Sequence, residues 1–595
     1  MNKYIVLLLC ICFNFISAQL SVRNDAYIFA SDEVVFVNDD INLGELNSRF
    51  FLRNEAQLLQ GDGNTGNSGI GLLSVYQTGN VNQWSYNYWC SPVGNNSAIN
   101  GNEINRVNLI NDATGLITAA PALFTPAFNG TASPLTISAR WLYTFTNSVS
   151  YNDWVYVGSD GEIAPGLGFT MKGNGTGIAG SQLYDFRGKP NNGTITNDVS
   201  TGVNTLIGNP YPSAIDSALF IHDADNQASI TGTLLFWEQD GTVASHVLQD
   251  YRGGYYSFTI DASGTLITDA PAVFQTYDED NNIFPLPIPF FGTKSTGRYI
   301  PIGQGFMVEG IAGTPASPAS VYVKNSHRVF AKESDGQSNF FRNNLNEDSN
   351  DDGVSFQDNG LSIVPPNFKR FRINVDFEEG NDQFTRQLIL NFNENATAGF
   401  DYGMELITSE ISGSDAYFSL DGKTFIAQAY PFSEELRIPL SINTASQQPL
   451  RFRIFDIQNF DENQSIFLHD LETNQYINLR ENDYELNIEA GNYSDRFEIL
   501  FSNNNTLSTE DVELKTFTIK QDVNQKKILV FNPNLNPVDR IEIFDLNGRA
   551  VVSYNKLKTV AKTEIDVSQF TSGVYIISLS EEGEVLKSQK VIITN

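Results

Sequence analysis

Residues 416–430 read AYFSLDGKTFIAQAY: two runs of alternating apolar and polar residues on either side of Asp421-Gly422. Alternation with period 2 is the signature of a half-buried strand, and Asp-Gly is a strong turn dipeptide. Seven further runs of this kind surround it: FKRFRINVDF, FTRQLILNFN, ELRIPLSI, LRFRIFDI, QSIFLHDL, YELNIEA and RFEILFS, with a second turn at Ala490-Gly491. Counting 416–430 as one stretch, eight alternating stretches between residues 361 and 502 predict an antiparallel β-sandwich.

The same grammar extends over the chain. At 595 residues it is too long for one domain, and three to five are expected. Aromatics make up 12% of the residues and Gly numbers 46, a composition that favours short strands and turns over helices. The fold class is all-β, built of tandem antiparallel sandwich modules. Upstream of the sandwich, 333–360 is a polar linker. Within it Asp348, Asn350, Asp352 and Gly353 match the first half of a calcium loop, but Asn359 stands where a bidentate Glu is wanted. A solvated linker and a calcium site are the two readings.

Residues 80–332 hold an internal repeat. Trp89–Asn95 (WCSPVGN), Trp141–Phe145 (WLYTF), Gly166–Gly173 (GLGFTMKG) and Gln182–Arg187 (QLYDFR) form the first copy. Gly208–Ser213 (GNPYPS), Leu234–Glu238 (LLFWE), Gly303–Gly310 (GQGFMVEG) and Val321–Lys324 (VYVK) form the second. Two tandem sandwich modules, 80–190 and 191–332, follow, with loops of different length on a common frame. The Gly-x-Gly-Phe elements precede strands rather than helices. The glycines therefore serve close backbone packing, not phosphate binding. A short helix is predicted from Ser213 to His222, capped by Ser213 with Asp216 three residues on. Residues 19–79 carry short strands every ten to fifteen residues and read either as the first rungs of a small β-helix or as opening hairpins.

The first 18 residues are a secretory signal peptide: Lys3, an apolar run from Tyr4 to Ile16, then Ser17-Ala18 as the cleavage site. That run is too short to span a bilayer, and no later stretch is apolar enough to do so. Export leaves Cys90 as the single cysteine, so no intramolecular disulfide forms, and its apolar setting marks a buried small side chain. The formal net charge of −32 disfavours nucleic acid and anionic lipid as partners.

Residues 511–595, after a linker at 503–510, hold β-rich runs punctuated by Asn-Gly, Ser-Gly and Glu-Gly turns. Ile541–Arg549 (IEIFDLNGR), Asp566–Ile577 (DVSQFTSGVYII) and a closing strand with Lys587 and Lys590 resemble the type A C-terminal sorting domain of Bacteroidetes type IX secretion cargo. Asp545, Gly548, Gly573 and Tyr575 carry the motif together with those lysines. The resemblance implies an immunoglobulin-like sandwich, passage through the Sec translocon, recognition at the type IX outer-membrane translocon, and release or surface display. Leu206–Ser213, Tyr299–Phe306 and Arg386–Thr397 resemble an uncharacterised region of flavobacterial secreted proteins, which implies no activity.

Catalytic signatures are sparse. His222, His246, His327 and His469 are isolated in sequence, no Cys-x-x-Cys or His-x-x-x-His pair exists, and no Gly-x-Ser-x-Gly elbow occurs. Glu238 is the one candidate for a glycosidase carboxylate. Aromatics offer more. Trp84, Tyr86 and Tyr88 recur at strand period, next to Trp89, and Tyr251, Tyr255 and Tyr256 form a second group. Such rings stack on sugars when exposed and fill cores when buried. The expectation is a secreted or surface protein without a cofactor that works by binding or adhesion, with glycans or cell-surface polymers as ligands. A secreted polymer-degrading enzyme, glycoside hydrolase-like, or an accessory part of one, is the alternative.

Overall fold

The computed structural model describes residues 19–593 except 62, 64, 175–180, 278–282, 285–290, 335, 337, 339, 344–354, 358–360, 380–381, 409–410, 503–516, 523–525, 533–534, 546–547, 556 and 582–583. The expected signal peptide at 1–18, the expected linker at 503–510 and the calcium candidates Asp348, Asn350 and Asp352 lie outside the described residues. The chain forms two compact units, 1–503 and 504–595. Both are built of strands; the described α-helices are two short ones, Ser217–Ile221 and Ala224–Gln227.

The first unit opens as a β-helix. Leu20–Val22 pairs in parallel with Ile41–Leu43, Tyr27–Ser31 with Arg49–Arg53, and Val34–Val37 with Gln57–Gln60. The partners are Leu20 with Ile41, Tyr27 with Arg49 and Val34 with Gln57, so each rung takes 21 to 23 residues. Hairpins cannot make parallel pairs, so the chain must travel round three faces before it meets itself. Ala30, Val37, Ile41, Leu43, Phe50, Leu52 and Leu58 fill the interior. The third rung's strand, Leu72–Gly79, lies parallel to Arg49–Arg53 and antiparallel to Gln182–Pro190, which joins the β-helix to the first repeat copy.

The two repeat copies interlock. In the first, Tyr86–Cys90 pairs with Gly168–Lys172 and sets Cys90 opposite Gly168. In the second, Asn204–Gly208 pairs with Gly305–Gly310 and sets Gly208 opposite Gly305. The copies then exchange bonds: the Cys90 N–H donates to Gly303 O (2.8 Å), and the Gly208 N–H donates to Gly166 O (3.2 Å). Bridges between Trp89 and Gln304 and between Leu167 and Ile207 repeat the relation. This is a local pseudo-twofold, and it requires contact without side chains. A Cβ on Gly305 would stand 2.8 Å from the backbone of Tyr88 and Trp89, and one on Gly208 would stand 2.5 Å from Cys90 Cβ.

Two expectations change on the short helix and on the sandwich. Asp216, not Ser213, caps the helix by accepting the Ala218 N–H, because Ala214–Asp216 is held as a strand. Residues 361–502 form one curled, nearly closed sheet rather than two facing antiparallel ones. Its hairpin of Asp415–Leu420 and Lys423–Tyr430 turns on Asp421 (φ 50°) and Gly422 (φ 76°), but Asp382–Phe392 pairs with Lys423–Tyr430 in parallel. Curling lets one sheet wrap a phenylalanine-rich core that includes Phe371, Phe392, Phe425, Phe452 and Phe497. A buried ion network ties this sheet to the second repeat copy. Asp269 accepts from Arg372 Nη2 (3.0 Å), Arg372 Nη1 donates to the Asp269 carbonyl (2.6 Å), and Arg370 Nη2 donates to Ile267 O (2.6 Å).

The second unit is a sandwich. Thr518–Asp522, Lys527–Phe531 and Lys562–Asp566 form one sheet; Ala550–Asn555, Arg540–Asp545, Gly573–Glu581 and Glu584–Ile593 form the other. Ile528, Ile541, Ile543, Ile577, Leu579 and Ile593 belong to the core shared by both sheets.

Gly305→Ala drives a methyl into the backbone of the other copy, and a loss of at least about 2 kcal/mol is expected. Gly422→Ala meets no atom within 4 Å but keeps a positive φ, and about 1 kcal/mol is expected. Denaturant unfolding of the two variants checks the order; equal losses contradict the interlock.

Candidate ligand-binding cleft

The pseudo-twofold places two sheet faces side by side. On Tyr86–Cys90, Tyr86 and Tyr88 point one way and Trp89 the other, into the core against Tyr184, Phe186 and Phe340. Across the ladder, Lys172 sits opposite Tyr86 and Thr170 opposite Tyr88. The second copy's sheet adds Leu206, Met307 and Leu235 in one register row, and Trp237 directly opposite Tyr255. The Tyr88 and Tyr255 hydroxyls meet at 3.0 Å, and the Tyr255 ring lies 5.2 Å from Trp237. Phe145 and Trp154, with centroids 4.8 Å apart, and Tyr151 form one wall; Tyr251 and Leu248 form the other.

These residues enclose a cleft of about 330 Å³. Its polar groups are tyrosine hydroxyls, Ser150, Thr170, Asn152 and Asn204, and no carboxylate lines it among the described residues. A larger depression, of about 680 Å³, lies on the barrel-like sheet and is lined by charged groups that pair with one another, such as Arg453 with Asp376 at 2.6 Å.

Lys172 closes the back of the cleft. The residue is 3% exposed, and Nζ donates to Tyr251 Oη (2.6 Å) and meets His246 Nδ1 at 3.0 Å. The rings of Trp141, Tyr251 and Tyr86 stand 4.1, 4.6 and 4.7 Å from it. Burial lowers the amine to about 7, because the charged form has lost its water. Burial, and then the charge of Lys172, lower His246 to about 4. The neutral imidazole packs against both Phe128 (5.5 Å) and Trp141 (5.0 Å), which also touch each other, and Nε2 meets Asn129 Oδ1 at 2.6 Å.

Of the residues named from sequence, Tyr86, Tyr88 and Tyr255 come together in the cleft, with Tyr251. Trp84 does not. It sits in the turn before the strand, so its period-2 spacing to Tyr86 carries no common face, and it packs on His246 at 4.4 Å. Tyr256 points away and donates to Asp269 Oδ2 (3.2 Å). Lys172 and Met307 lay inside the repeat landmarks: Lys172 stands where the second copy has Glu309. Trp154 had no sequence signal beyond its composition.

Glu238 is structural. It alternates with Trp237, faces away from the cleft, and accepts the backbone N–H groups of Thr293 (2.9 Å) and Lys294 (3.2 Å). Burial raises its pKa. Cys90 is fully buried. His222, His327 and His469 are engaged by Ile260 O, Asp223 and Glu498 respectively. Among the described residues no group of three His, Cys, Asp or Glu side chains is placed to hold a metal ion.

In the second unit the motif residues shape the sandwich. Asp545 accepts from the Arg549 N–H (3.0 Å) across a turn where Gly548 has φ 76°. Gly573 opens a strand opposite Ile593, and Tyr575 Oη donates to Thr571 O (2.9 Å). Lys587 and Lys590 are exposed on the last strand.

Residues 125–501 match the model of a domain of unknown function, DUF8693. The chain belongs to the DUF8693 family. Residues 515–594 match a secretion system C-terminal sorting domain, which marks this DUF8693 protein as type IX secretion cargo, secreted or displayed at the cell surface. No helix among the described residues is long and apolar enough to cross a membrane. No curated protein matches the chain. A solved structure titled "Biofilm associated protein - BSP domain" aligns over 88% of this chain and 96% of its own at 10% identity, with a TM-score of 0.16, too low to relate the two folds.

Two outcomes follow from the cleft and the tail. The folded chain gives up the Lys172 proton near 7 and the unfolded chain near 10.5, so this contribution to stability grows as pH rises between those values and is lost as pH falls through 7. Lys172→Met removes it, and the melting temperature of the variant relative to the parent is expected to be higher at pH 6 than at pH 9. Deletion of 511–595 is expected to hold the protein in the periplasm; continued surface display, read by protease shaving of intact cells, contradicts the sorting role.

Proposed function

We propose that the mature protein is a non-catalytic binding protein that captures glycans at the aromatic cleft, in adhesion at the cell surface or to a secreted polymer. One observation carries this reading. Among the described residues the cleft presents tyrosine and tryptophan rings with hydroxyl and amide groups around them and no carboxylate, a surface that stacks on sugar rings and hydrogen-bonds their hydroxyls without supplying an acid–base pair. Its two halves come from a tightly packed scaffold, so ligand binding requires little ordering.

A glycan array probed with residues 19–505 is the direct measurement. At least one glycan class is expected to bind, and Tyr255→Ala and Trp154→Ala are each expected to weaken it about tenfold. A blank array together with cleavage of a polymer in solution overturns the binding reading in favour of hydrolysis.

A further inference from the structure

The cleft is small for a site that holds a polymer. About 330 Å³ is near the lower end of the ~300–1,000 Å³ usual for small-ligand pockets and has room for a short piece of chain. The aromatic surface does not stop at its mouth. Tyr143, which lines the cleft, is paired directly opposite Tyr156 in a hairpin of Tyr143–Thr144 and Val155–Tyr156. Directly opposed residues share a face, and the two rings meet edge to face with centroids 5.4 Å apart. Tyr156 is 57% exposed, so its ring stands in water beside the cleft. The hairpin is held in place: the Val157 and Gly158 N–H groups donate to Leu142 O at 3.0 and 3.3 Å.

The electrostatics narrow the ligand. Among the described residues no ionised side chain lines the cleft, and Lys172 lies behind Tyr86, Trp141 and Tyr251 with its amine already engaged. A charge on the ligand would lose its water there without gaining a partner. A polyanion would also meet the net charge of −32.

We infer that the cleft and the Tyr143–Tyr156 hairpin are adjoining subsites of one track that takes internal stretches of a linear, uncharged glycan. This rests on the glycan reading above. The track binds chains, and the ring outside the mouth supplies the part of the affinity that depends on length.

The test is titration of the full chain with linear neutral oligosaccharides of the gluco-, manno- and xylo- series, two to eight units long, alongside matched polyuronates. In the series that binds, the six-unit chain is expected to bind about three- to tenfold more tightly than the two-unit chain. Tyr156→Ala is expected to bring that ratio close to one. Its ring is mostly in solvent, so the fold is retained, and far-UV circular dichroism checks this. Equal affinity for two and six units in the parent, an unchanged ratio in Tyr156→Ala, or preference for the polyuronate overturns the track while leaving glycan capture standing. Absence of binding at every length in every series removes both.

Discussion

The close approach of two backbones at Gly208 and Gly305 is the constraint on which the first unit depends. Strands of different sheets can exchange hydrogen bonds there only because these two paired glycines carry no side chain toward Tyr88, Trp89 and Cys90 of the first copy. The exchange fixes the angle and register of the two copies at once. On one side of the contact Trp89 and Phe306 enter separate cores; on the other, Tyr88, Leu206 and Met307 are brought into one cluster. The cleft is therefore a consequence of the interlock, and neither copy holds it alone.

Cys90 is the one cysteine among the described residues and is free, so cohesion there rests on burial. The β-helix shares one apolar core with the first repeat copy, the second copy and the curled sheet each have their own, and the Asp269–Arg370–Arg372 network joins the last two. Buried ion pairs contribute little net stability, but breaking one leaves an uncompensated charge, so they specify which surfaces meet. Unpaired ionisable groups carry the opposite cost. Glu405 is 2% exposed and is pushed up to about 8 by burial, so its carboxyl stays protonated at neutral pH. Lys172 is the counterpart at the cleft, where three rings and two hydrogen-bond partners take the place of water.

The sorting domain and the aromatic cleft belong to different units. The motif residues of the sorting domain make a turn, begin a strand and anchor a tyrosine, and so maintain a small sandwich with an exposed lysine-bearing last strand. None of them contributes to the cleft. The DUF8693 match covers the curled sheet and the cleft's lining from Trp141 onward but begins after the β-helix and after Tyr86 and Tyr88.

Local features were legible in the sequence because they depend on neighbours in the chain. Asp421-Gly422 turns a hairpin at the two positive-φ positions its residue types favour, and the Gly-x-Gly-Phe elements announced close backbone packing. The sorting motif likewise named its sandwich, and the repeat was visible as spaced landmarks. What the repeat builds was not, because Tyr88 and Tyr255 lie 167 residues apart and meet only through the exchange at Gly208 and Gly303. Trp84 shows the limit from the other side, since a period of 2 defines a face only where a strand exists. The single curled sheet belongs to the same class, whereas the β-helix was one of the two readings that the strand spacing of residues 19–79 left open, and its parallel pairing decides between them. Pattern and turn chemistry determine that a segment is a strand, whereas which distant strand it meets is decided by which faces can approach and bury their side chains, and that is a property of the folded chain alone.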